Sequence, residues 1–214
     1  LFDLDGTLVD SVPDLGAAAR RMLAGLELAT KGDDEIRDFV GKGTANLVRR
    51  CLGAEEGRFE EAMRLFDAAY REESGRHSCL FPGVREGLDA FRARGLPMGC
   101  VTNKPAQFTG PLLDALGLSA YFSVVVSGDT VARRKPDPLP MQYACDTLRV
   151  PARQTLVVGD SANDALAARA AGCRVVCVPY GYREGLPVAA LDCDAVVADI
   201  GAAARYVADL NNWR

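Results

Sequence analysis

The sequence predicts an α/β protein, a doubly wound parallel sheet with a small helical cap inserted after the first strand. Three observations carry that prediction. From Gly83 onward short apolar runs alternate with helical stretches, the pattern of a parallel sheet covered on both faces. Between about Asp14 and Cys79 apolar residues recur at helical spacing, with no convincing strand. The chain also opens on an apolar strand end that runs directly into two carboxylates and a glycine.

That opening segment, Leu1–Asp5, is read as a strand of the sheet. Side chains alternate along a strand, so Asp3 and Asp5 point the same way at its carboxyl end, and Gly6 lets the backbone turn. Two like charges held this close call for a cation or a shared proton. The helical stretch follows, marked by Leu15, Ala18, Ala19, Met22 and Leu23, then Leu47, Val48 and Cys51, then Phe59, Ala62, Met63, Phe66 and Tyr70. Thr44 is the expected N-cap of the second of these helices, and Gly41-Lys42-Gly43 before it is expected to be a mobile or sharply turned loop. The insertion leaves the core just after the first strand and returns at Phe81-Pro82-Gly83. It is therefore expected to sit over the carboxyl ends of the strands as a lid. Residues 1–13 and 80–214 are assigned to the core and residues 14–79 to the cap.

The remaining strands are expected at Met98–Thr102, Val124–Ser127, Thr155–Gly159, Arg174–Val178 and Ala195–Val197. Helices are expected near Val84–Arg94, Ala106–Leu116, Pro138–Leu148, Asn163–Ala171 and Ile200–Leu210. Each crossover should be right-handed.

Composition narrows the function. With 49% hydrophobic and 25% charged residues, 214 residues suffice for a substantial core. The net charge of −4, from 25 Lys and Arg against 29 Asp and Glu, argues against sequence-independent nucleic-acid binding. Seven cysteines include no Cys-x-x-Cys pair and read as reduced, mostly buried thiols of a cytoplasmic protein. Cys173 and Cys177 flank a strand and are expected to pack around it. The lone histidine, His77, excludes a His-rich metal site, and any His-based triad would have to use that one residue. No stretch has the ~20 apolar residues of a membrane span, and no signal peptide is visible. The chain starts in mid-strand without an initiator Met, so a few more native residues are expected before Leu1.

Ligands of open parallel sheets bind outside the carboxyl ends of the strands. Four polar clusters fall there: Asp3 and Asp5; Thr102-Asn103-Lys104; Lys135-Pro136-Asp137; and Gly159-Asp160-Ser161-Ala162-Asn163-Asp164. Singly each is an ordinary cap or turn. Together they describe one crevice, in which Asp3, Asp5, Asp160 and Asp164 would repel strongly without a counter-ion. Such an all-oxygen set suits Mg²⁺. Thr102, Asn103 and Lys135 supply hydrogen-bond donors and positive charge of the kind a transferring phosphoryl group needs.

In order and spacing, Asp3-Leu4-Asp5-Gly6-Thr7-Leu8-Val9-Asp10-Ser11, Thr102-Asn103-Lys104, Lys135-Pro136-Asp137-Pro138 and Gly159-Asp160-Ser161-x-x-Asp164 resemble the four motifs of the haloacid-dehalogenase-like hydrolases. The helical insertion is similar to the cap of the phosphoglycolate phosphatase and β-phosphoglucomutase branch. The resemblance implies a Rossmann-like core and a Mg²⁺-dependent reaction on a small phosphorylated metabolite. Asp3 would be the nucleophile, and Asp5 the general acid and then base, with its backbone carbonyl on the metal. Thr102, Asn103 and Lys135 would hold the phosphoryl oxygens. Asp160 would ligate the metal, and Asp164 would act through water or orient Lys135. Asp10 would cap the first cap helix. A carboxylate at Asp5 favours phosphate-ester chemistry over dehalogenation.

Phe39-Val40-Gly41-Lys42-Gly43 with Leu47-Val48, and Pro179-Tyr180-Gly181-Tyr182-Arg183-x-Gly185, look like bacterial phosphoglycolate phosphatases. On that resemblance Lys42, Gly43 and Arg183 are the candidates for reading a substrate carboxylate, and 2-phosphoglycolate is the expected substrate. A sugar-phosphate phosphatase, a pyrophosphatase, a β-phosphoglucomutase-like mutase and a non-catalytic binding module remain open. The protein is expected as a monomer or homodimer with no nucleic-acid or membrane partner.

Overall fold

The computed structural model describes residues 1–183 and 185–209. Its centre is a parallel sheet. Segment 1–3 lies between β3 (Gly99–Val101) and β5 (Leu156–Gly159): Phe2 N donates to the Gly99 carbonyl, Val101 N to Phe2, Val158 N to Leu1 and Asp3 N to Val158. Beyond β3 lies β4 (Val124–Val126), and beyond β5 lie β6 (Arg174–Cys177) and β7 (Ala195–Val196). The order is therefore β4, β3, segment 1–3, β5, β6, β7, all parallel.

Alternation along the strands divides the core into two layers. Phe2, Cys100, Val158 and Val176 face α5 (Val84–Ala93) and α9 (Ile200–Asp209) through Leu88, Phe91, Ile200 and Ala203. Leu1, Val101, Val157 and Val175 face α7 (Leu139–Leu148) and α8 (Ala162–Ala171) through Met141, Ala144 and Ala168. Cys173 and Cys177 pack in this second layer, as their position beside β6 implies. Each helix begins or ends within a residue or two of its expected bound. Strands are a residue or more shorter at their ends, where the ladder runs out. The expected terminus of α9, Leu210, lies outside the described residues.

Along the chain, between segment 1–3 and α5, come α1 (Val12–Gly25), α2 (Asp33–Phe39), α3 (Thr44–Leu52) and α4 (Phe59–Glu73). They share an apolar cluster built on Leu15, Met22, Ile36, Leu47, Phe66 and Tyr70, which Phe108 and Tyr182 join from the core. The entry and exit of this stretch pair as a short antiparallel ribbon, β1 (Val9–Asp10) with β2 (Cys79–Leu80), which the sequence pattern does not show. Buried Asp14 fastens the exit by accepting from the backbone N–H of Gly75, His77 and Ser78 at 2.8, 2.8 and 3.0 Å.

Two capping expectations are corrected. Thr44 is the first residue of α3, not its cap; Gly43, at φ +84°, occupies the cap position without a side-chain bond. Asp10 does not cap α1, which starts after Ser11; its carboxylate accepts instead from the Tyr182 hydroxyl at 2.6 Å. No helix among the described residues is long and apolar enough to cross a membrane.

Candidate active site

Adjacent strands deliver the acidic groups. Segment 1–3 ends in Asp3, β5 is followed at once by Asp160, and the first turn of α8 carries Asp164. The loop before α7 brings in Lys135, whose buried ammonium donates to Asp3 Oδ1 (2.7 Å), Asp164 Oδ1 (2.6 Å) and the Val101 carbonyl (2.7 Å). All three of its N–H bonds are thereby used. Burial opposes the charge on Lys135, but Asp164 and Asp3 outweigh it and raise its pKa above the usual lysine range.

The carboxylates strain against one another. Burial first, then the charge of Asp164, pushes the Asp3 pKa up to about 7, with Lys135 pulling it back. Asp160 is raised well above the ordinary carboxylate range by burial and by Asp3 and Asp164, although it accepts from Thr7 Oγ1 (2.7 Å) and Tyr182 N (2.5 Å). Asp164 is oriented by Ser161, whose N–H and hydroxyl donate to Oδ2 at 3.1 and 2.7 Å. One oxygen from each of Asp3, Asp160 and Asp164 lies within 4.8 Å of the others. A buried, all-oxygen, mutually repelling set with one lysine to balance it fits a hard divalent cation.

Space around Asp160 is made by glycines. A Cβ on Gly181 would fall 2.2 Å from the Asp160 Cβ, and one on Gly6, at φ +90°, would fall 2.5 Å from its Oδ2. Only a residue without a side chain lets both loops approach so closely.

The other expected site residues divide. Asp5 lies beside the cluster but pairs with a residue to which the sequence reading gives no role: Lys104 Nζ donates to Asp5 Oδ1 and Oδ2 at 3.0 and 3.2 Å, and to the Tyr70 hydroxyl at 2.6 Å. Thr102 is buried, its hydroxyl oxygen accepting from Lys104 N at 3.2 Å. Asn103 spends its side-chain amide on the Gly41 and Lys135 carbonyls, at 2.9 and 3.0 Å, so in this arrangement it joins the cap loop to the Lys135 loop and has no side-chain N–H left for a phosphoryl oxygen. Asn163 reaches the same Gly41 carbonyl at 3.4 Å. Lys42 is on the exposed side of that loop, where its carbonyl accepts from Arg134 Nη1 at 3.3 Å, and Gly43 lies against the same guanidinium. Arg183 is turned onto its own loop, donating to the carbonyls of Leu186 (3.1 Å) and Pro179 (2.6 Å), and lines a cleft with Arg37, Tyr180 and Gly181.

Sequence reasoning gives no role to Lys104, Tyr70, Thr7 or Tyr182. Lys104 had a signal, since it directly follows Thr102 and Asn103. Tyr70 reads only as one apolar position of a helix and Tyr182 only as part of the Pro179–Gly185 resemblance; in the structure both rings are buried, and their hydroxyls and the Tyr182 N–H reach the polar groups.

A buried carboxylate cluster clasping a lysine, at the carboxyl ends of a doubly wound sheet and beneath a helical cap, defines a hydrolase built for phosphate esters. The comparisons give the family. The haloacid dehalogenase-like hydrolase model matches residues 1–178, and the chain belongs to that family. It is 47% identical over 213 residues to a phosphoglycolate phosphatase of Thiobacillus denitrificans, covering 97% of this chain and 94% of that protein. It is 46% identical over 206 residues to the plasmid-borne phosphoglycolate phosphatase of Cupriavidus necator, covering 94% and 89%. A crystal structure of a predicted phosphoglycolate phosphatase from Haemophilus somnus superposes with a TM-score of 0.92 at 33% identity, covering 96% of each chain. These relatives place the chain among the family's phosphatases.

Proposed function

We propose that this protein is a Mg²⁺-dependent phosphatase that hydrolyses 2-phosphoglycolate to glycolate and phosphate through an aspartyl-phosphate. The observation that carries the reading is the buried Asp3 carboxylate held against Lys135 and flanked by Asp160 and Asp164. In the first step an Asp3 oxygen attacks phosphorus in line and the bond to the leaving oxygen breaks. Asp5, protonated for this step, gives its proton to that oxygen. In the second step water attacks phosphorus, Asp5 takes its proton, the bond to Asp3 breaks, and phosphate departs. Lys135 and the Thr102 hydroxyl hold the phosphoryl oxygens. Asn103, with its amide committed to two carbonyls, joins the cap loop to this machinery.

Asp3, the Asp5 backbone carbonyl and Asp160 would hold Mg²⁺, with Asp164 close behind. When bound, the ion supplies charge that favours ionised Asp3 and balances the phosphoryl oxygens. Substrate choice is assigned to the cap loop, where Lys42, the Gly43 amide and neighbouring Arg134 offer donors to a carboxylate. The 47% identical relative supports the substrate.

A panel of phosphate monoesters assayed with and without Mg²⁺ tests the reading. Phosphoglycolate should show the highest kcat/KM, and Lys42→Ala should raise KM for it more than for a neutral ester. Preference for a hexose phosphate, or sugar-phosphate isomerisation faster than hydrolysis, would replace it.

A further inference from the structure

Lys104 is a lysine with nothing left to give. Its side chain is 2% exposed, and its three N–H bonds go to both oxygens of Asp5 and to the Tyr70 hydroxyl. Those three partners fix the place of its ammonium. What it does control is Asp5, whose carboxylate it grips by both oxygens from one side, leaving little freedom at χ2.

The other end of the contact belongs to the cap. Tyr70 is on α4, fully buried, with its ring stacked on Phe66 at 5.5 Å and set edge-on to Phe108 of α6 (Ala106–Ala115) at 4.7 Å. Lys104 follows β3 in the core and also lies over the Tyr70 ring at 4.9 Å. Asp5, Lys104 and Tyr70 thus form one chain of contacts from the strand end to the cap. Moving α4 off α6 breaks the Tyr70 end of that chain and leaves Lys104 with Asp5 as its sole side-chain partner among these residues.

We propose that Lys104 is the positioning residue for Asp5, and that Tyr70, acting through Lys104, makes the working orientation of Asp5 depend on a seated cap. Proton delivery to the leaving group is then tuned only when substrate lies under a closed lid, so a cap that stays open handles phosphate esters poorly unless their leaving groups need no proton. This inference rests on the assignment of Asp5 as the acid.

Leaving-group dependence tests it, because a merely structural defect would slow all esters alike. The measured quantity is the ratio of kcat/KM for phosphoglycolate, whose alkoxide needs a proton, to kcat/KM for p-nitrophenyl phosphate, whose phenolate does not; kcat/KM ends at departure of the leaving group, so the shared hydrolysis of the aspartyl-phosphate drops out. Tyr70→Phe, which keeps the ring and removes one oxygen, should lower that ratio about tenfold, and Lys104→Met about a hundredfold, within the usual range for a misplaced acid. Lys104→Arg should recover part of the loss. An unchanged ratio in soluble Lys104→Met, or in Tyr70→Phe should Lys104→Met not fold, overturns the inference. The control is Asp5→Asn: if it too leaves the ratio unchanged, the assignment of Asp5 falls, whereas a ratio lowered by Asp5→Asn alone removes only the role of Lys104 and Tyr70.

Discussion

Lys135 Nζ and Asp3 Oδ1 stand 2.7 Å apart, although 132 residues separate them in the chain. The same ammonium is 2.6 Å from Asp164, so one cation is shared between two buried anions that would otherwise face each other. Lys135→Met should therefore destabilise the metal-free protein by about 3–5 kcal/mol, the cost of breaking a buried pair from one side. Urea denaturation in EDTA measures it, and added Mg²⁺ should recover part of the loss. A variant as stable as the parent would show that the carboxylates do not depend on the lysine.

Asp3 gives stability a pH dependence of unusual sign. Its carboxyl titrates near 7 in the folded chain against an ordinary value of 3.8. Between those values the folded state binds the proton and the unfolded state does not, so the contribution of Asp3 to stability falls as pH rises through about 4 to 7 and is flat above. Without divalent cations, Asp3→Asn should gain Tm over the parent more at pH 8 than at pH 5. Equal gains at both would contradict the raised pKa. The same variant should lose at least about a thousandfold in turnover, as removal of a covalent nucleophile does.

Gly181 tests the packing around Asp160. Gly181→Ala would place a methyl group 2.2 Å from the Asp160 Cβ, so the loop or the aspartate must move. A stability loss of about 1–3 kcal/mol is expected, together with a higher Mg²⁺ concentration for half-maximal activity. Unaltered Mg²⁺ dependence would mean that Asp160 is not held by this loop.

Asn103 is expected to act through the cap loop. Asn103→Ala removes the stronger of the two amide bonds to the Gly41 carbonyl and the bond to the Lys135 carbonyl, whereas Asn163→Ala removes only the 3.4 Å contact. Hydrogen exchange across residues 40–45 should accelerate more in Asn103→Ala than in Asn163→Ala. The reverse order would place the main clasp on Asn163.

Much of this was legible in the residues. β3 to β6 and α5 to α9 announce themselves by short apolar runs and helical periodicity, and Asp3, Lys135, Asp160 and Asp164 by their place just past strand ends. What was not legible depends on tertiary contact. α2 hides because it buries only Ile36 and starts with three acidic residues, its first turn being closed by Glu35 accepting from Gly32 N at 3.1 Å. The ribbon of β1 and β2 hides because two residues on each side are too few to show alternation. Nothing in sequence shows that the Arg183 guanidinium donates to the carbonyls of Pro179 and Leu186. Lys104 was hidden in plain view, since a lysine in a turn is ordinarily solvated, and only the joint approach of Asp5 and Tyr70 reveals it as buried.

The β1 and β2 ribbon brings the two ends of the helical insertion together. The chain departs and comes back on neighbouring rungs, Val9 opposite Leu80 and Asp10 opposite Cys79. A segment spliced in at such a doorway can be lengthened, trimmed or exchanged without shifting either doorpost, and the first doorpost follows Asp3 by only a few residues. Engineering can exploit this directly: grafting a different insert between Asp10 and Cys79 offers a route to new substrates, provided that it keeps Asp14 against Ser78 and restores a hydroxyl where Tyr70 meets Lys104.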